Sequence, residues 1–195
     1  MSSTFPEEKL DPRVKRTRQL LEQAFLAVVA EKGFQSVSVQ DIAEKAGVNR
    51  ATFYDHFTDK YALLDYSIRQ QFRQELEKRT LNVCTFSMDN LRALIITVCE
   101  FISNASVHCN PPSQQFESVM ETQIKVQVQE LIQNWIEKLG TDVDPKIAAT
   151  ATSWAIYGLA MQWSHDKNKK RASVEKFTDE VMPLIIGNLR LMQPA

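Results

Sequence analysis

The sequence predicts an all-α fold, and three observations predict it. Apolar residues recur three and four positions apart along nearly the whole chain, no stretch sustains the alternation of a half-buried strand, and capping or breaking residues punctuate the periodic segments. At 195 residues, with 44% apolar and 24% charged side chains, the chain is long enough for one large or two unequal helical units and too apolar to stay disordered.

The first helix is predicted from about Pro12 to Lys32: Pro12 suits the first turn, and Gly33 suits the left-handed position just past the end. Its inner stripe is Leu21, Phe25, Val28 and Val29. Ser38, with Asp41 three residues later, forms a capping-box pattern for a short second helix that buries Ile42, Ala43 and Ala46 and stops at Gly47. Asn49 is placed to cap a third short helix through about Phe57, and Thr58 to cap the fourth. Leu64, Ile68, Phe72 and Leu76 mark that fourth helix. A fifth carries Leu91, Leu94, Ile95, Val98, Ile102 and Ala105 and breaks at Asn110-Pro111-Pro112. The sixth is long, from Phe116 through Met120, Ile124, Val128, Leu131 and Trp135 to Leu139, ending near Gly140. Pro145 opens a seventh that reaches about Asp166; a polar stretch, residues 166–171, reads as a solvated loop before an eighth with Val174, Phe177, Val181, Leu184 and Ile185. No internal repeat interrupts this order.

Several function classes are excluded. The five glycines are nowhere closer than 14 residues, so no glycine-rich loop can wrap a nucleotide phosphate. No apolar run approaches the ~20 residues of a membrane span, and Met1 to Leu10 carries Pro6, Glu7 and Glu8 where a signal peptide needs basic and then apolar residues. The expectation is a cytoplasmic chain with no membrane partner. Cys84, Cys99 and Cys109 form no CxxC pair and read as free thiols, and no cofactor or metal is expected. An enzyme would have to draw on Cys99, His108 and Cys109, but adjacent residues do not share a helical face and no four-ligand pattern is completed. A helical adaptor that binds a protein partner is the other alternative. The net charge is −1 overall, yet residues 12–60 carry +2, with Arg13, Lys15, Arg16 and Arg18 uninterrupted by any acid.

The chemistry concentrates in the two short helices joined by the Gly47-Val48 turn, a helix-turn-helix candidate spanning about Val39 to Phe57. A helix fits the major groove of B-DNA, its first residues reach base edges, and a guanidinium matches the two acceptors of guanine. Arg50 stands where that reach is greatest, while Tyr54, His56 and Lys60 follow at the range of a backbone strand. Phe53 and Phe57, four apart, read as core.

The stretch SVSVQDIAEKAGVNRATFYDHFTDKYALL, from Ser36 to Leu64, resembles the DNA-binding signature of the TetR-type bacterial transcription regulators. The resemblance implies a DNA-binding domain over residues 1–60 and a helical effector-binding and dimerisation domain over 61–195. It implies DNA contact by Gln40 on the positioning helix and by Asn49, Arg50, Ala51 and Tyr54 at the recognition helix, with Thr52, His56 and Lys60 nearer the phosphates. Asp55 departs from the pattern, since an acid there weakens phosphate attraction unless it points away.

Since one recognition helix reads only a few base pairs, a homodimer on a palindromic operator is expected, its two reading helices ~34–36 Å apart. The last two helices are the expected interface: Ala148, Ala151, Ala155 and Gly158 give a small-residue face, and Phe177, Val181, Leu184 and Ile185 an apolar stripe. By resemblance, the middle helices enclose a small-molecule effector among Cys99, Phe101, His108, Phe116, Met120, Gln123, Trp154, Tyr157 and Met161, with Trp135 and Thr150 also candidates. The function implied is a ligand-responsive regulator, a repressor released by its effector, with the fourth helix as the lever between domains.

Overall fold

The computed structural model describes residues 11–79, 85–108, 114–140, 142–166 and 171–189, without the side chains of 105–108, 114 and 115. It is all-helical, as expected, with eight α-helices and no strand among the described residues: α1 (Pro12–Lys32), α2 (Val39–Ala46), α3 (Arg50–His56), α4 (Lys60–Arg79), α5 (Met88–His108), α6 (Gln114–Leu139), α7 (Pro145–His165) and α8 (Val174–Leu189). None of the described helices is long and apolar enough to cross a membrane.

The local signals act where the sequence puts them, with three corrections. Asp11 and Asp144 cap α1 and α7, each followed by proline in the first turn, where the absent N–H is not needed. Ser38 and Asp41 close a reciprocal capping box on α2. Asp59, rather than Thr58, caps α4: its Oδ1 accepts from the N–H groups of Tyr61 and Ala62, both at 2.8 Å, because a carboxylate answers a helix N-terminus more strongly than a hydroxyl. A short 3-10 turn at Phe34–Ser36 joins α1 to α2, unforeseen from periodicity because three residues are too few to show any. Arg171 is the third correction. Its guanidinium lies 4.0 Å from the Trp163 ring centre and donates to the carbonyls of Trp163 and Ser164, closing the end of α7 instead of floating in a solvated loop; residues 167–170 lie outside the described set.

One hydrophobic core runs from Leu21 of α1 through Phe53, Leu63 and Ile95 to Trp135 and Ile185. Phe53 and Phe57 are buried in it, as their spacing predicts. In the C-terminal part α7 packs between α6, α5 and α8, and α4 lies along α5 and α6. Cross-links fix these layers: Arg92 of α5 pairs with Asp179 of α8 at 2.9 Å, and Gln123 of α6 donates to Asp65 of α4 at 2.5 Å. Among the contacts between the N-terminal helices and this body is the Phe34 ring, whose centre is 6.1 Å from Phe25 of α1, 5.4 Å from Tyr61 of α4 and 6.4 Å from Phe116 of α6.

One carboxyl is placed against its own ionisation. Burial pushes Glu22 of α1 up from 4.5 to about 7. A carboxyl whose folded value is raised favours the folded state while protonated, and that advantage disappears as pH climbs from 4.5 through 7. Glu22→Gln is therefore expected to melt above the wild type at pH 8, with the gap closing by pH 5; a gap independent of pH in paired thermal melts would show that Glu22 ionises freely.

Candidate nucleic-acid interface and adjoining cavity

Helix α3 is held by three local devices. The Ser38–Asp41 box fixes the start of α2, and Asp41 also pairs with Lys32 of α1 at 2.7 Å. These donors hold the Asp41 carboxyl well below the usual range. Gly47, at φ 69°, ends α2 in the left-handed region, so that its N–H reaches the Glu44 carbonyl and the Val48 N–H reaches that of Ala43, at 3.1 and 3.0 Å. Asn49 then caps α3, its Oδ1 accepting from the Thr52 N–H at 2.7 Å and the Thr52 hydroxyl at 3.0 Å. With Phe53 and Phe57 anchored inward, the outer face of α3 can only be Arg50, Ala51, Tyr54 and Asp55, all exposed.

The other residues named from sequence fall around that face. Arg50 lies over the Tyr54 ring, 5.8 Å from its centre, and donates to the Tyr54 hydroxyl at 3.2 Å, so the two side chains form one preformed unit. Gln40 is exposed on α2 and bonded to Glu44. Asn49 and Thr52 stand at the leading edge with their cap hydrogen bond, and His56 is half-buried at the trailing end. Arg18, from the leading basic cluster, turns to the rings of Phe57 and Tyr66, 5.7 Å from each.

Lys60 corrects the expectation from sequence. Its ammonium donates to three carbonyls, those of Phe34, Gln35 and Val37, at 3.2, 3.1 and 2.9 Å, and lies 4.8 Å from the Phe34 ring centre. An ammonium has three donors, and all three are directed into the fold rather than toward a phosphate. Burial pushes its pKa down. The charge at the N-terminus of a helix, ordinarily unfavourable, is answered by three carbonyl dipoles.

Behind this unit lies a cavity of about 690 Å³. Its walls are Phe25, Leu26, Val29 and Ala30 of α1; Leu64, Ser67, Ile68 and Gln71 of α4, with Gln74, Glu75 and Arg79 at the far end; Thr97, Glu100, Phe101 and Asn104 of α5; and Phe116 and Met120 of α6. Of the effector residues named from sequence, Phe101, Phe116 and Met120 come together here. The others are placed elsewhere. Cys99 is buried in the core, where burial pushes its thiol up to about 12, the opposite of an activated nucleophile. Gln123 holds Asp65, Tyr157 and Met161 pack in the body, and Trp154 is 58% exposed beneath the Lys125 ammonium, 3.4 Å from its ring centre. Trp135 is buried against Phe86, Thr150 bonds its own helix, and the His108 side chain lies outside the described residues, as does Cys109. Sequence reasoning missed the α1 and α4 walls. The signal was present, since Leu26 and Ala30 extend the apolar stripe of α1 beyond what packing on α2 and α3 needs.

Residues 20–66 match the family model for bacterial regulatory proteins of the tetR family. Over that stretch the chain is similar to this family. Over 104 residues it is 33% identical to the uncharacterized HTH-type transcriptional regulator YxbF of Bacillus subtilis, a match covering 52% of this chain and 27% of that protein; the chain spans only about a quarter of its relative. Among solved structures, a TetR-family regulator from Streptomyces coelicolor shares the fold at a TM-score of 0.62 and 15% identity, over 93% of this chain and 99% of that one. FadR from Bacillus subtilis, solved in complex with stearoyl-CoA, does so at 0.52 and 15%, over 87% and 98%.

In this chain the last two helices present a narrower outward face than the sequence suggests. Ala148, Val181 and Ile185 are buried within the chain and Ala155 and Phe177 half-buried, whereas Ile147, Ala151, Trp154 and Gly158 of α7 and Leu184 and Gly187 of α8 face outward. Ile147 and Leu184 are each 64% exposed, and a methyl added at Gly158 or Gly187 would meet nothing within 4 Å.

Lys60→Met is expected to cost about 1–3 kcal/mol in denaturant unfolding, because it removes the ammonium that three carbonyls share, of which only that of Phe34 is shown with a second donor, the Val37 N–H, and to leave the salt dependence of DNA binding unchanged. A salt slope lower by about one, with stability intact, would return Lys60 to the phosphates.

Proposed function

We propose that this chain is a ligand-responsive transcriptional regulator that binds a palindromic operator as a homodimer through α3 and is released by a small molecule. The observation that carries the DNA reading is the outward face of α3: Arg50, Ala51 and Tyr54 project from a helix fixed by Gly47, Asn49 and two buried phenylalanines, while none of them contributes to the core. A stiff helix with a bidentate donor at its leading end suits a major groove, and the small Ala51 lets its backbone come close to the bases. Gln40 enters from α2, and His56 and the Arg13–Arg16 cluster supply the phosphate side.

Two copies are joined through the exposed apolar patch on α7 and α8. The patch is left exposed by the single chain, and Gly158 and Gly187 leave room for a second backbone to approach. The effector occupies the cavity behind α1, and coupling of the usual ~1–3 kcal/mol follows from its differential affinity for the two spacings of the recognition helices. That FadR, with a shared fold, was solved holding stearoyl-CoA supports a ligand in this body without identifying it. A helical adaptor remains the competing reading, and it predicts no sequence-selective DNA binding.

Arg50→Ala is expected to lose about 1–3 kcal/mol against the selected operator while binding random duplex almost as before. A mobility-shift titration reads both; equal losses would reduce Arg50 to a phosphate contact. Leu184→Glu is expected to give monomers by sedimentation velocity and to weaken operator binding steeply. If the variant stays dimeric, the interface lies elsewhere.

A further inference from the structure

The cavity has two properties that go beyond its use as an effector site, a reading on which this inference rests. Its first wall is α1, part of the DNA-reading unit, so a molecule inside touches that unit directly rather than through α4 alone. Its second property concerns charge. Every ionic group on the wall is already paired: Arg79 with Glu100, and Glu75 with Lys78. The one buried wall atom without a hydrogen-bond partner among the described residues is neutral, the Ser67 Oγ, whose residue is 1% exposed.

We propose that the cavity takes an uncharged, largely apolar small molecule with one hydrogen-bonding group, and that this molecule bridges α1 to α4 and sets the tilt of the DNA-reading unit. The apolar part is met by Phe25, Leu26 and Val29 on one side and Ile68, Phe101 and Met120 on the other. A volume of about 690 Å³ lies within the range of drug-sized ligands. A carboxylate or ammonium head would leave water to meet groups whose charges are already satisfied, which is unfavourable without a free counter-charge. A hydroxyl, ester or amide loses less hydration and answers the Ser67 hydroxyl, an orphan the fold otherwise tolerates at a cost. Leu21 and Val28, on the same helix as Phe25 and Leu26, belong to the same buried core as Ile42 and Phe53, and α1 packs on both α2 and α3. Displacement of α1 therefore moves α2 and α3 as a body.

The full chain is titrated with Nile red, an uncharged apolar dye, which is then displaced by decanol, decanoate and decyltrimethylammonium, alike in chain and different in head charge. Decanol is expected to displace the dye at a concentration at least about tenfold below either ion. An ion that equals or outcompetes it overturns the uncharged class. Leu26→Trp fills the α1 wall and Asn104→Trp the α5 mouth, both at positions open enough to keep the fold, which thermal melting verifies. Both are expected to weaken dye binding at least about tenfold. Loss only in Asn104→Trp leaves an effector pocket but removes α1 from it; loss in neither overturns the site and the effector reading together. Saturating decanol is also expected to change wild-type affinity for duplex DNA at least about fivefold, and no change overturns the bridge.

Discussion

The arrangement depends on how the chain between α1 and α2 is fastened. Lys60 holds three carbonyls of that connection, those of Phe34, Gln35 and Val37, and Phe34, in its midst, touches α1, α4 and α6 at once. Electrostatics and aromatic packing thus converge on the short connection between α1 and α2, where the N-terminal helices meet α4 and α6. The bonds are directional and partly shielded from water, conditions under which a charged donor contributes more than it would at an open surface.

From that fastening the division of labour follows. Helix α3 is short, and a short helix in water is not stable by itself; its caps and the two phenylalanines behind it supply what seven residues of propensity cannot. Its outer face is thereby free to carry side chains chosen for contact rather than for packing. The body solves the opposite problem. Its long helices bury apolar faces against one another almost everywhere, and where α1 crosses α4 the faces separate and leave a cavity, next to the ring of Phe34 and the pair Phe25 and Phe116 that flank it.

Much of this was legible in the residues. Spacing gave the eight helices, the capping box and the left-handed Gly47, because caps and periodicity act within a turn or two of chain. The face of α3 was legible for the same reason, since Phe53 and Phe57 pointing inward leave Arg50, Ala51 and Tyr54 outward. Lys60 was misjudged because nothing in its own neighbourhood marks the three carbonyls, which come from residues 23 to 26 positions earlier in the chain. Trp154 and Cys99 were misjudged for a related reason: aromatic and sulfur side chains suit a ligand, a core or a dimer face equally, and only burial distinguishes these.

The sequence by itself determined the helical class, the start and end of α3 and the side chains it offers, because these follow from hydrogen bonds and apolar spacing between near neighbours. Only the tertiary structure decided which apolar residues line empty space, which cation is bound inward and which stripe on α7 and α8 is left uncovered. Those depend on how far apart whole helices come to rest, and helix separation is fixed by side chains that meet from distant parts of the chain.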